Sequence, residues 1–346
     1  MNPAPPPLGP TGPAEVPLGA KVAWLSSPAA YVSRPARVDC IETHFAYVFL
    51  TDTEAYKLKK PVQTYGGDLR GLAARERGCR EELRLGLRFA HDTYREVVPL
   101  AVRDNALALG GPGAIVDWLV RMRRLDRAQM LDTRLLAGTV APADLERVIT
   151  LLHALDRDAA VRCAVAPAAA YDGVVRRLEE ALGEIARPDF ALPPQLHEPL
   201  AAALRARCDE LGPVLAARAW RIRDGHGDLR AEHVWLGPPV QIIDALEFDR
   251  ELRLLDPAED VAMLAVDTER LAGAWTRRAL CAAYDVLTGD AVPAPLWRFY
   301  LSLRAATRAK VALWHLGDPA SAADPSRWRA RALEYLAQAA RLLGEP

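Results

Sequence analysis

The sequence predicts an α+β fold in two parts: a small sheet carrying one helix, then a larger, mostly helical part with an embedded hairpin. Three observations predict it. Between about residues 31 and 125, short runs rich in β-branched and aromatic residues alternate with turn signals. After about residue 126, apolar residues recur at helical spacing in one segment after another. The one clear interruption of that helical part, 220–248, reads as a short strand followed by a hairpin. A length of 346 residues suits about two domains, on a prior of about 100–200 residues each.

Taken in order, residues 1–20 hold seven prolines and read as an extended, disordered tail, because proline fixes φ and withholds a donor. The first folded part is expected over 21–125 and the second over 126–346. Segments 38–41, 45–50 and 55–59 read as strands, the last two joined by the turn Thr51-Asp52-Thr53-Glu54. A helix is expected at about 69–90, with Leu72, Cys79, Leu83, Leu87 and Ala90 as its apolar stripe. Strands at 97–102, 106–109 and 114–122 follow, separated by turns at Asp104-Asn105 and Gly110-Gly111-Pro112-Gly113. Helices are expected at 143–156, 171–186, 195–218, 258–273, 275–287, 294–316 and 325–343. Trp297, Phe299, Tyr300 and Trp314 read most simply as core.

Composition excludes several function classes. The 44 basic and 45 acidic residues leave a formal charge of −1, so no global basic field exists to hold nucleic acid or an anionic membrane. The five cysteines are widely spaced with no C-x-x-C pair, which argues against a disulfide framework or a zinc site and for a reducing cytoplasm. No apolar run reaches about 18 residues, and no basic segment followed by an apolar one opens the chain, so neither a membrane span nor a secretory signal is expected. Of the 44 basic residues five are Lys, leaving 39 Arg, yet three of those lysines fall within four positions: Lys57, Lys59 and Lys60.

The segment richest in chemistry is His226-Gly227-Asp228-Leu229-Arg230-Ala231-Glu232-His233, followed by a hairpin and then Ile243-Asp244-Ala245-Leu246-Glu247. A hairpin returns the chain on itself, so Asp228 and Asp244 can converge. Two carboxylates so placed suit a proton-acceptor role and a divalent-cation role, as phosphoryl transfer requires.

The loop is similar to the kinase pattern H-R-D-L-K-x-x-N, with Gly in place of Arg as in the aminoglycoside phosphotransferase and choline kinase branch. Ile243-Asp244-x-x-Glu247 resembles that branch's I-D-x-x-E, and Leu255-Asp256-Pro257-Ala258-Glu259-Asp260-Val261-Ala262 its D-P-x-x-D-L-A segment. Four further stretches resemble an uncharacterised bacterial family of aminoglycoside phosphotransferase-like proteins. These are Ile41-Glu42-Thr43-His44 with Val48-Phe49-Leu50-Thr51, Tyr56-Lys57-Leu58-Lys59-Lys60-Pro61, Cys79-Arg80-Glu81-Glu82-Leu83-Arg84-Leu85, and 304–311. The likeness runs from about 22 to 316. It implies a protein kinase-like two-lobed fold, with a small antiparallel sheet lobe that binds ATP over 21–125 and a larger catalytic, substrate-binding helical lobe over 126–346.

That resemblance implies an ATP-dependent phosphotransferase acting on a hydroxyl of a small molecule, with Mg²⁺. Asp228 would be the general base or orienting carboxylate. Asp244 would hold Mg²⁺ bridging the β- and γ-phosphates, and Glu247 is either a partner of that metal or a simple ion pair. Arg230 stands where a γ-phosphate ligand is expected, with a surface role equally open. His226 is expected to pack and hydrogen-bond so as to hold the loop.

Glu54-Ala55-Tyr56-Lys57 matches V-A-I-K in register, so Lys57 is the expected phosphate lysine and Lys59, on the same face, the runner-up. Lys60 points away and reads as solvated. Glu82 or Glu76 would hold the lysine, with the resemblance favouring Glu82. Met122 would flank the adenine or sit in the core. Arg304 and Arg308 would bind an anionic substrate or pair with Asp256 and Asp260.

Two departures matter. His233 stands where the pattern has a metal-ligating Asn, which leaves a ligating neutral His, a one-metal site or reduced activity. No glycine-rich loop occurs, and the equivalent turn offers only backbone N–H groups and the Thr43 hydroxyl. A nucleotide-binding pseudokinase is therefore the alternative.

Overall fold

A computed structural model of the chain describes residues 16–64, 67–158, 161–317 and 324–345. It divides into two compact units. The first comprises the described residues up to Asp126 together with Glu247–Asp249; the second comprises Arg127–Leu246 and the described residues from Arg250 onward.

The first unit is built on six antiparallel strands: β1 (Asp39–Glu42), β2 (Ala46–Leu50), β3 (Glu54–Lys59), β4 (Tyr94–Arg103), β5 (Ala106–Leu109) and β6 (Ala114–Arg123), in the order β1-β2-β3-β6-β4-β5. Central β3 places Lys57 opposite Val48 of β2 and Val120 of β6. Alternation then sorts its side chains. Tyr56 and Leu58 join a core with Tyr31, Phe49, Leu100, Leu119 and Leu25 of helix α1 (Leu18–Leu25). Lys57 and Lys59 point to the other face, which helix α2 (Leu72–Phe89) covers. Burying Leu58 fully is worth about 1.5–3 kcal/mol.

Two expectations fail here. The predicted tail ends early: residues 1–15 lie outside the described residues, but Leu18–Leu25 is helical, with Lys21 and Leu25 buried. The stripe of α2 is also rotated. Its buried residues are Arg75, Cys79, Glu82, Leu85, Gly86 and Phe89, while Leu87 is exposed. The apolar reading misses two charged residues that have buried partners: Arg75 binds Asp117 at 2.7 Å, and Glu82 binds lysines of β3. At Gly86 an added Cβ would lie 2.3 Å from the Tyr94 ring, so any side chain there would have to displace that ring.

The second unit holds helices α3 (Leu131–Leu136), α4 (Pro142–Asp156), α5 (Pro167–Ile185), α6 (Pro194–Glu210), α7 (Gly212–Ala217), α8 (Pro257–Ala272), α9 (Ala274–Thr288), α10 (Ala294–Trp314) and α11 (Pro325–Gly344). The single helix expected over 195–218 is two, because Gly212-Pro213 interrupts it. Short antiparallel ladders pair β7 (Arg223–Asp224) with β10 (Leu254–Leu255), and β8 (Val234–Trp235) with β9 (Gln241–Ile242). Helix α8 is buried from Pro257 through Glu269, polar residues included. Among the described residues no helix is long and apolar enough to cross a membrane, and none of the five cysteines is in a disulfide.

Candidate active site

In the sheet unit two lysines share one glutamate. Lys57 Nζ lies 3.0 Å from Glu82 Oε1, and Lys59 Nζ donates to Glu82 Oε2 at 2.6 Å. Lys59 also donates to Glu247, whose side chain is only 11 % exposed. Burial alone pulls the Lys59 ammonium down; Glu247 and Glu82 more than offset it, and its pKa ends above the usual lysine value. The structure thus brings together Lys57, Lys59, Glu82 and Glu247. Glu76 stays outside, paired with Arg80 at 2.8 Å.

Two expected positions look different in place, and a third takes one of its two expected readings. Lys60 is buried rather than solvated, because β3 ends at Lys59 and the next residue packs inward, 2.6 Å from Glu42 and over the Tyr47 ring. The Thr43 hydroxyl donates to Ala46 O and accepts from Ala46 N, both at 3.0 Å, so it closes the β1–β2 turn. Met122 is buried in β6 opposite Ala55, and the core position fits it.

In the helical unit the loop after β7 is clamped from behind by α8. Asp260 accepts the His226 N–H at 2.6 Å and the Gly227 N–H at 3.0 Å, and Asp267 accepts the Ala231 N–H at 3.0 Å. Gly227 has φ +84°, and a Cβ there would meet Leu246 at 2.9 Å, so only glycine fits. The His226 ring is fully buried, with Nε2 2.9 Å from Ile243 O. Burial, then neighbouring His233, drop its pKa to about 3, so the ring is neutral at physiological pH.

Asp228 projects from this loop with its side chain 22 % exposed. Burial would raise its carboxyl, but Arg230 at 2.9 Å, His233 and Arg308 at 3.8 Å outweigh that and hold it at about 2. Arg230 is itself bracketed by Asp228 and Glu232 and donates to His233 Nε2 at 2.8 Å. His233 Nδ1 faces the Asp228 carbonyl at 2.9 Å. A carbonyl only accepts and a guanidinium only donates, so Nδ1 carries the proton and Nε2 accepts. Asp244, at the end of the hairpin with φ 64°, lies 3.5 Å from His233 Nε2 and is 41 % exposed.

The ion-pair reading of Arg304 and Arg308 holds with different partners. Arg304 meets Glu259 at 3.0 Å and the Gly227 carbonyl at 3.4 Å; Arg308 meets Asp228. Asp256 is occupied elsewhere, with Arg218 and the α8 N-terminus, while Asp260 holds the loop amides and also feels the Arg304 charge, as expected.

Among solved structures, the chain is similar to a choline/ethanolamine kinase family protein from Mesorhizobium loti, at TM-score 0.56 and 17 % identity over 94 % of this chain and 95 % of that one. It is similar to wild-type aminoglycoside 2′-phosphotransferase-IIIa in its GDP complex, at TM-score 0.52 and 16 % identity over 88 % and 92 %. It is also similar to glucosamine kinase in complex with glucosamine, ADP and inorganic phosphate, at TM-score 0.51 and 15 % identity over 92 % and 82 %. The fold is protein kinase-like. No protein-family model matches the chain. Uncharacterized proteins of Mycobacterium tuberculosis and Mycobacterium bovis are each 32 % identical to it over 309 residues, 87 % of this chain. The chain spans 60 % of the length of these curated relatives.

In this kinase-like chain, sequence reasoning missed the anchors. Asp267 lies seven residues after Asp260, two turns along α8 and on the same face, and that spacing was the available signal. A metal role can be tested on the donor set. Among the described residues no three His, Cys, Asp or Glu side chains form a metal cluster. Nε2 of His233 already accepts from Arg230, and Asp228 is held by guanidinium groups. Asp244, 41 % exposed, offers a hard oxygen donor. That fits Mg²⁺ held mainly by phosphate and water, which binds through one or two carboxylates, rather than a protein-built cage.

Proposed function

We propose that the chain is a phosphotransferase that moves the γ-phosphate of ATP to a hydroxyl of a small-molecule acceptor. The observation that carries this reading is Asp228: an ionised carboxylate on a loop whose backbone is fixed at both ends by buried carboxylates of α8. The kinase-like fold supports it, as does the Lys57–Glu82 pair, which suits the nucleotide's phosphates.

In the proposed reaction the acceptor oxygen forms a bond to the γ-phosphorus, and the bond from that phosphorus to the β,γ-bridging oxygen breaks, releasing ADP. Asp228 orients the hydroxyl and takes its proton late, since a carboxylate with a pKa near 2 is a weak base. Asp244 would hold Mg²⁺, which when bound neutralises phosphate charge.

The test is acceptor-dependent ADP release from Mg-ATP over a panel of amino sugars, amino alcohols and polyols. Asp228→Asn should cut turnover by about 10²–10⁴-fold while ATP affinity changes little. A wild-type chain that binds no nucleotide sinks the proposal.

A second reading, a nucleotide-binding module without turnover, rests on the engagement of His233 by Arg230 and the Asp228 carbonyl where the pattern has a ligating Asn. Tight Mg-ATP binding with no ADP release across the panel would favour it.

A further inference from the structure

We infer that Lys59 and Glu247 are positioning residues: with Glu82 they form a buried chain of alternating charge, Glu247–Lys59–Glu82–Lys57, that aims the Lys57 ammonium at the nucleotide. The inference rests on the phosphotransferase reading and deepens it, because it gives the three residues beyond Lys57 separate duties.

The geometry is specific. Glu82 is 1 % exposed and offers one oxygen to each lysine, Oε2 to Lys59 at 2.6 Å and Oε1 to Lys57 at 3.0 Å. Lys59 is 3 % exposed and has a carboxylate on each side, so its ammonium is already spoken for. Lys57, at 12 %, is the more accessible of the two. Two cations and two anions balance, which is how a buried cluster of four charges is tolerated. Removing an end member leaves an odd charge inside, and the remaining groups must shift to find partners.

Two further features show that the slot for Lys59 is shaped. An added Cβ at Gly78 of α2 would lie 3.2 Å from both Cδ and Cε of Lys59, so the lysine stem lies against a helix turn that carries no side chain. The segment bearing Glu247 is also fastened next door, where Phe248 packs on Phe45 of the β1–β2 turn with ring centroids 5.8 Å apart. A chain with 39 arginines to five lysines keeps lysine in this slot, which suits a compact ammonium and not a planar fork. Glu247, three residues after Asp244, is thereby assigned to lysine positioning and not to the metal.

The experiment is calorimetric ADP binding to the full chain, with Mg²⁺ and again with EDTA, plus a melting curve for each variant. Glu247→Gln is close to isosteric and should weaken ADP binding about 10-fold in both conditions. Lys59→Met should lose at least as much, and Glu247→Gln added to Lys59→Met should cost nothing further. Gly78→Ala, which crowds the Lys59 stem without removing a charge, should give a smaller loss in the same direction. A Glu247→Gln loss seen only with Mg²⁺ would make Glu247 a metal ligand and overturn the inference, leaving the phosphotransferase reading intact. So would a lowered melting temperature with unchanged ADP affinity, or a Glu247→Gln loss that persists in full on Lys59→Met. Wild-type chain that binds no ADP in either condition would take down both.

Discussion

Asp228 and His226 sit two positions apart in one loop, and the loop holds one fully charged and the other neutral. The neutral histidine has a measurable consequence. Its folded pKa is about 3, against about 6.5 when unfolded, so between those values the unfolded chain binds the extra proton. Stability therefore falls as pH drops from about 6.5 toward 3, by up to a few kcal/mol. Denaturant midpoints should slide over that window, and His226→Gln should flatten the slope; a slope unchanged in the variant would contradict the assignment. Asp228 acts in the same direction over a lower window: its lowered pKa adds stability that is present above about 4 and lost as pH falls toward 2. At this scale the motif residues were legible because their spacing is local. Lys60 was not, since alternation says only that it faces away from Lys57, and Glu42 and Tyr47 come from other strands.

Helix α1 shows what an element-level reading of the sequence lacks. A proline-rich opening suggests a tail as far as residue 20, yet Leu18–Leu25 folds back because Lys21 reaches Asp117, 96 positions away, at 2.7 Å, and the Val116 carbonyl at 2.8 Å. Arg75 of α2 holds the other oxygen of Asp117 at 2.7 Å, so one buried carboxylate ties both helices to β6. Asp117→Asn should cost about 3–5 kcal/mol, because it strands two buried cations, and the loss should show as a lowered melting temperature. A change under about 1 kcal/mol would mean that the cations find other partners. Most helices of the second unit were legible from apolar periodicity. The rotation of α2 was not, because its buried face includes Arg75 and Glu82, which count as polar until their partners are known.

For the whole molecule, the sequence carried the fold class through a few motifs spread over most of the chain, and its likeness to solved kinases at 15–17 % identity bears out the architecture. The site was legible as a set of residue types, less so as a set of contacts. Ligand should stabilise the whole: at about 100 times its Kd, Mg-ATP should add about 2.7 kcal/mol, read as a rise in melting temperature that Lys57→Ala removes. A nucleotide-independent melting curve would count against the proposed function. The grip of α8 on the loop that carries Asp228 has one more consequence, which concerns the solvent. Asp260 and Asp267 are only 5–6 % exposed, so mobile ions cannot come between them and the amides they hold. Screening over roughly 8 Å at physiological ionic strength weakens exposed pairs such as Arg80–Glu76 but leaves these buried contacts nearly untouched. Added salt should therefore loosen the rim of the molecule long before it disturbs the loop that carries Asp228.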